Sequence, residues 1–115
     1  MREPTFWILT ALAAEPRHGY GVIRAAASLS GGRVVLQPGT LYAALDRLGD
    51  EGLVEVDREE VVDGRTRRYY RLTPPGATAL GAETERMRAG AETAAAQLKR
   101  FGPATAHLGA ERPAW

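Results

Sequence analysis

The sequence predicts a mainly α fold carrying one two-stranded β-hairpin, and three observations predict it. Helix-type apolar spacing recurs in four stretches, near residues 4–14, 21–29, 40–50 and 74–101. Between the third and the fourth stands Asp63-Gly64, with strand-like residues on both sides, the dipeptide favoured where a two-residue type I′ turn needs positive φ at both centres. The chain has 115 residues, 44% hydrophobic and 25% charged, which suits one folded core and not two.

Each element has a local cause. Pro4 fits the first turn of a helix, where its missing N–H is no loss, and Glu15-Pro16 closes that helix. Phe6, Leu9 and Ala13 lie on one face while Trp7, Ile8 and Leu12 cover others. A helix apolar on nearly every side requires a second surface to bury against, which implies a partner subunit. His18-Gly19-Tyr20-Gly21 reads as a tight turn into a second helix over residues 21–29, with Val22, Ile23, Ala26 and Ala27 inward and Ser30-Gly31-Gly32 as its stop. Residues 33–36 read as a short extended piece. Gln37-Pro38-Gly39-Thr40 then opens a third helix that runs to about Asp50. Leu41, Leu45 and Leu48 form its inward stripe, which leaves Thr40, Ala43, Ala44 and Arg47 pointing outward.

Gly52 supplies a left-handed cap to that helix. Residues 53–62 alternate as a strand, and the return strand over 65–72 puts Arg68, Tyr70 and Leu72 on one face and Arg67, Tyr69 and Arg71 on the other. Thr73 is an N-cap before Pro74, and the chain stays helical to about Phe101. Along this last helix Leu80, Thr84, Met87, Ala91, Ala94, Leu98 and Phe101 recur at spacings of four and three, a heptad seam with one polar member that favours a helix partner. Pattern disappears from Gly102 onward, which reads as a loose tail.

Composition closes off several classes. With no cysteine, and with His18 and His107 as the two histidines, disulfide scaffolds and ordinary zinc sites are excluded; no metal or cofactor is expected. The apolar run over residues 6–14 is about half of the ~20 residues a bilayer span needs, and the N-terminus lacks the pattern of a signal peptide. A cytoplasmic protein without membrane contact is expected. His18 and Tyr20 have no nucleophile or orienting third group with them, so they read as turn and packing residues, and the chain is not expected to be an enzyme.

Helix, helix, helix, hairpin and long helix is the order of a winged helix-turn-helix module over residues 1–73 with a C-terminal dimerisation helix over 74–101 and a tail over 102–115. Such modules lay the third helix in the major groove of DNA and use the hairpin as a wing. The motifs are more specific than the order. His18-Gly19-Tyr20-Gly21, Gly39-Thr40-Leu41-Tyr42, the run from Leu45 through Leu48 to Glu51-Gly52-Leu53, and Arg68-Tyr69-Tyr70-Arg71-Leu72-Thr73 with Gly76 together resemble the PadR family of transcriptional regulators over about residues 5–80. The short arm is similar to the family's smaller branch, which has a single long dimerisation helix. Ala43 departs from the pattern, which usually has proline after Gly-Thr-Leu-Tyr. The resemblance implies a homodimeric bacterial regulator, usually a repressor, often released from operator DNA by a small aromatic or drug-like ligand.

Within this frame the candidate DNA contacts are Gly39, Thr40, Tyr42, Ala43, Ala44, Arg47, Arg65 and Arg67. Thr40 and Tyr42 sit where first-turn amides attract phosphate, or else Thr40 caps the helix and Tyr42 fills the space beside the wing. Arg47 can read guanine through O6 and N7, or else pairs with Asp46, Asp50 or Glu51. Arg65 and Arg67 suit phosphate, whereas Arg68 and Arg71 lie nearer the core and read as structural. Phe6, Trp7, Leu80, Met87, Ala91, Ala94, Leu98 and Phe101 are the expected dimer interface, and Trp7 and Met87 are candidates for an effector pocket as well as for plain packing. The net charge of +1 conceals a contrast, because residues 50–63 hold seven acids and one arginine while residues 64–73 hold four arginines and no acid. Near-neutral charge keeps open a second reading, a winged-helix module that binds a protein and not DNA.

Overall fold

The computed structural model describes residues 1–101, so the expected tail lies outside the described residues. Elements follow in the order α1 (Glu3–Ala13), β1 (Arg17–His18), α2 (Gly19–Leu29), α3 (Pro38–Asp50), β2 (Val54–Val62), β3 (Arg65–Leu72) and α4 (Pro74–Lys99). The chain divides into two compact units, Met1–Glu83 and a second that starts at Thr84.

The first unit is a winged helix. Ile8, Leu9 and Leu12 of α1, Val22 and Ala26 of α2, and Leu41, Leu45 and Leu48 of α3 are buried together, with Val54 and Tyr70 from the sheet closing the cluster. Every inward leucine of α3 is in this core, as its spacing predicts. Ala44 is in it too, only 7% exposed, which corrects its expected outward placement. It follows Leu41 by three residues and precedes Leu48 by four, so it lies on the leucine stripe.

The sheet has three strands, not the two expected, in the order β1-β3-β2 and antiparallel throughout. Arg17 and His18 pair with Tyr70 and Tyr69, so what read as a turn begins as a short strand, and α2 starts at Gly19, two residues earlier than expected. Residues 33–36 join no strand. Their path is fixed by the Val34 amide donating to Ser30 Oγ at 2.9 Å and by burial of Leu36.

The hairpin turns as the sequence predicts, with Asp63 at φ 52° and Gly64 at φ 76°, the left-handed pair of a type I′ turn. A bulge between Val56 and Arg58 shifts the β2 register, so that Asp57 stands opposite no β3 residue in the backbone pairing. Gly52, at φ 77°, ends α3 and lets the Leu53 amide donate to Leu48 O at 2.9 Å.

Thr73 joins sheet to helix. Its hydroxyl donates to Gly52 O at 2.6 Å and accepts from the Gly76 amide at 3.0 Å, so it caps α4 while holding the chain that leaves α3. Gly76 packs so closely against Leu53 that a Cβ there would lie 3.0 Å from the Leu53 carbonyl carbon and 2.8 Å from Leu72 Cδ1. Leu80 packs half-buried on the core. In the second unit α4 continues with Met87, Ala91, Ala94 and Leu98 exposed in the single chain, and it ends at Lys99, two residues before the expected end at Phe101, which is exposed as well.

Candidate nucleic-acid interface

In the first unit the helices and the wing enclose a cleft of about 970 Å³, with Tyr20, Tyr42 and Asp46 on the helical side and Asp63, Arg65 and Arg67 on the hairpin side. Its helical side is built from the start of α3. Gln37 is the N-cap residue but makes no side-chain cap, and its carbonyl accepts from the Leu41 amide at 2.9 Å. Thr40 is therefore not the cap. Gly39 and Thr40 are exposed in a first turn whose amides no side chain covers, a place with partial positive charge. Tyr42, 47% exposed, lays its ring over the start of α2, where a Cβ on Gly19 would lie 2.6 Å from Tyr42 Cζ. Absence of a side chain at Gly19 thus positions the tyrosine hydroxyl at the cleft.

Ala43 is exposed on the outer face of α3. Arg47 is exposed as well, but its Nη2 donates to Thr5 Oγ1 on α1 at 2.9 Å, and none of the three carboxylates expected as its partners pairs with it. It borders a second, smaller cleft with Arg2 and Thr5.

On the hairpin, the two kinds of arginine separate. Arg68 pairs with Glu59 at 3.0 Å, and Arg71 with Glu55 at 2.7 Å and Asp57 at 3.4 Å, bonds that hold both guanidiniums more firmly protonated than usual. Arg58 takes Asp57 at 3.0 Å and Glu60 at 3.2 Å, and its guanidinium carbon lies 3.9 Å from the centre of the Tyr69 ring. Arg67 stands opposite Glu60 in the register, yet that carboxylate is engaged by Arg58. Arg65 and Arg67 make no ion pair among the described residues, so their charge is available at the cleft.

His18 connects the two sides. Its Nδ1 accepts from the Gly21 amide at 3.3 Å, capping α2, and its ring meets Tyr69 edge to face at 5.3 Å between centroids. Burial holds its pKa below the usual 6.5; nearby Arg67 and Arg24 push the same way, against a smaller pull from Glu60.

The residues expected at a dimer interface fall in both units. Phe6 and Trp7 are half-buried on α1, with rings edge to face at 5.1 Å, and Trp7 Nε1 donates to Glu3 at 3.3 Å. Met87 and Leu98, with the alanines between them, lie along the exposed seam of α4, and exposed Phe101 follows just past its end. No helix among the described residues is long and apolar enough to cross a membrane.

The model of the transcriptional regulator PadR-like family matches residues 8–82, which holds α3, the wing and the start of α4. The chain belongs to the PadR-like family of transcriptional regulators. A relative, the transcriptional regulator Rv3488 of Mycobacterium tuberculosis, is 47% identical over 64 residues, covering 56% of this chain and 46% of that protein. The chain spans less than two thirds of the length of the curated relatives it matches. Among solved structures, a PadR-like transcription factor from Bacteroides fragilis superposes with a TM-score of 0.68 at 30% identity, covering 79% of this chain and 85% of that one. Bacillus subtilis PadR in complex with operator DNA shares the fold with a TM-score of 0.64 at 23% identity, covering 72% and 47%.

Within the PadR-like frame, sequence reasoning left two things out. The first is strand β1, which brings His18 against the wing. The second is Asp46, which the sequence suggests only as a partner for Arg47; its place three residues after Ala43 is the signal that puts it on the outer face of α3.

Proposed function

We propose that this chain is a homodimeric DNA-binding repressor. The first 73 residues form the DNA-reading module and α4 the dimerisation helix, and binding of a small planar ligand near Trp7 or Met87 releases the protein from its operator. α3 enters the major groove, Gly39, Thr40 and Tyr42 meet the backbone at its start, and the wing lies along phosphates. The observation that carries this reading is the contrast on β3: Arg68 and Arg71 are spent on carboxylates, whereas Arg65 and Arg67 face the same cleft as Tyr42 and Asp46 of α3 with no acid bound to them among the described residues. Membership in a family of transcriptional regulators supports it, and so does the operator complex of a protein with the same fold. Ala44 drops out of the contact set because it is buried.

Fluorescence anisotropy of the full chain on the DNA upstream of its own gene tests the proposal. Sequence-dependent binding is expected at physiological salt, with planar aromatic compounds lowering it in the same titration. Replacing Arg65 and Arg67 together by alanine is expected to weaken binding on every sequence. It is also expected to flatten the plot of log affinity against log salt by about 0.9 for each phosphate that the variant no longer neutralises. An unchanged slope refutes the wing assignment, and no binding by the wild type to any duplex turns the reading to a protein-interaction module.

A further inference from the structure

Resting on that DNA-binding reading, we infer that Asp46 is the residue of α3 that sets base preference, by accepting a hydrogen bond from the exocyclic amine of a cytosine in the major groove. Four exposed residues of α3, Gly39, Ala43, Asp46 and Asp50, follow one another at spacings of four, three and four, so they form a single stripe opposite Leu41, Leu45 and Leu48. Two of the four have no side chain beyond a methyl group, and nothing lies within 4 Å of where a Cβ on Gly39 would be. The helix backbone can therefore come close to base edges, near enough for a side chain as short as aspartate to reach them.

Asp50 is the last residue of the helix, whereas Asp46 lies about two turns in from its start and lines the cleft shared with Arg65 and Arg67. Its carboxylate makes no ion pair or side-chain hydrogen bond among the described residues. Arg47, the long polar side chain next to it, is turned away to Thr5 of α1. A carboxylate on the face that meets DNA, with no partner among the described residues, repels phosphate and is tolerable only where a donor awaits it.

The chemistry of the groove selects the donor. A carboxylate only accepts, and the base edges in the major groove offer two donors, cytosine N4 and adenine N6. Adenine places the N7 acceptor beside its amine, where it repels the second carboxylate oxygen; cytosine has no acceptor there. Guanine and thymine present acceptors to the same position and are disfavoured. The arginines at the wing hold the protein on the backbone, and Asp46 chooses among the sequences beneath it.

Selection from a randomised duplex library with the full chain, in parallel with Asp46→Asn and Asp46→Ala, tests this. The wild type is expected to enrich a motif with a fixed cytosine in each half-site. Asp46→Asn is expected to change that one position to adenine, since an amide bonds N6 and N7 together, and Asp46→Ala to lose preference there by about ten-fold while all other positions stay as they were. Variants that bind every sequence more tightly by one common factor, with the wild-type motif intact, overturn the assignment and leave Asp46 as a repelling charge alone. A wild type that enriches no motif overturns the DNA-binding reading as well, which separates the two failures.

Discussion

His18 does at one position what two residues usually share: its ring caps α2 through Nδ1 and packs on Tyr69 of the wing. Protonation removes the acceptor, because Nδ1 then carries a hydrogen facing the Gly21 amide. The folded pKa lies below the ordinary 6.5, so folding favours the neutral ring. The associated stability is fully present above the unfolded value and is lost as pH falls below about 6.5 through the lowered folded value. In urea denaturation between about pH 7.5 and 5, the wild type is expected to lose stability relative to His18→Asn, whose amide oxygen caps without titrating. Parallel curves for the two proteins would show that the imidazole cap carries no proton linkage. The cap is local, three residues from Gly21, but nothing local in the sequence announces the contact with Tyr69, since that ring is fifty-one residues away. Thr73 is the opposite case, because a threonine directly before Pro74 is a helix start that short-range rules identify.

At the scale of elements, legibility follows the range of the forces that decide each one. The leucines of α3, the Asp63-Gly64 turn and the Gly52 cap depend on neighbours within a few residues, and the sequence predicts them correctly. Strand β1 is two residues long, too short to show alternation, and exists because β3 offers it an edge. Ala44 is legible too, since its spacing of three from Leu41 and four from Leu48 places it on the leucine stripe, and a small side chain is easily read as outward. Arg47 is decided by a hydroxyl on α1 forty-two residues distant. Two glycines where elements approach closely give a test at this scale. Alanine usually favours a helix over glycine by about 1 kcal/mol, yet Gly76→Ala is expected to destabilise the fold by about 1–3 kcal/mol because the new methyl meets the Leu53 backbone, which cannot move aside. Gly19→Ala is expected to cost less in a thermal melt, because the Tyr42 ring it meets is half exposed and can swing out, and to weaken DNA binding instead. Equal losses of stability in the two variants would contradict this account.

For the whole molecule, the proposed reading assigns association to the second unit and recognition to the first. The 26 residues of α4 extend about 39 Å at 1.5 Å each, and its exposed seam is poor in large side chains, with Met87 at 46% and Leu98 at 58% exposure and Phe101, at 60%, just past the helix end. A seam so rich in alanine makes a weak coiled coil alone, so each large residue matters. Leu98→Asp is expected to convert dimer to monomer in light scattering and to abolish operator binding; a variant that stays dimeric would exclude this seam. The sequence shows the heptad but not what covers it, because a seam states its own spacing and not its partner.

One consequence of strand β1 concerns mechanics. The wing is clamped from both sides where Tyr69 and Tyr70 sit between β1 and β2, and it is a plain two-stranded ribbon from there to Asp63-Gly64. The bulge at Asp57 falls level with the clamp, where a ribbon under load bends most easily. The hairpin is therefore a cantilever with its root in the core and its two unpaired guanidiniums near the free end, where a small rotation at the root becomes a large sweep. On the proposed reading, charge placed there can follow a phosphate backbone of varying groove width while α3 stays seated.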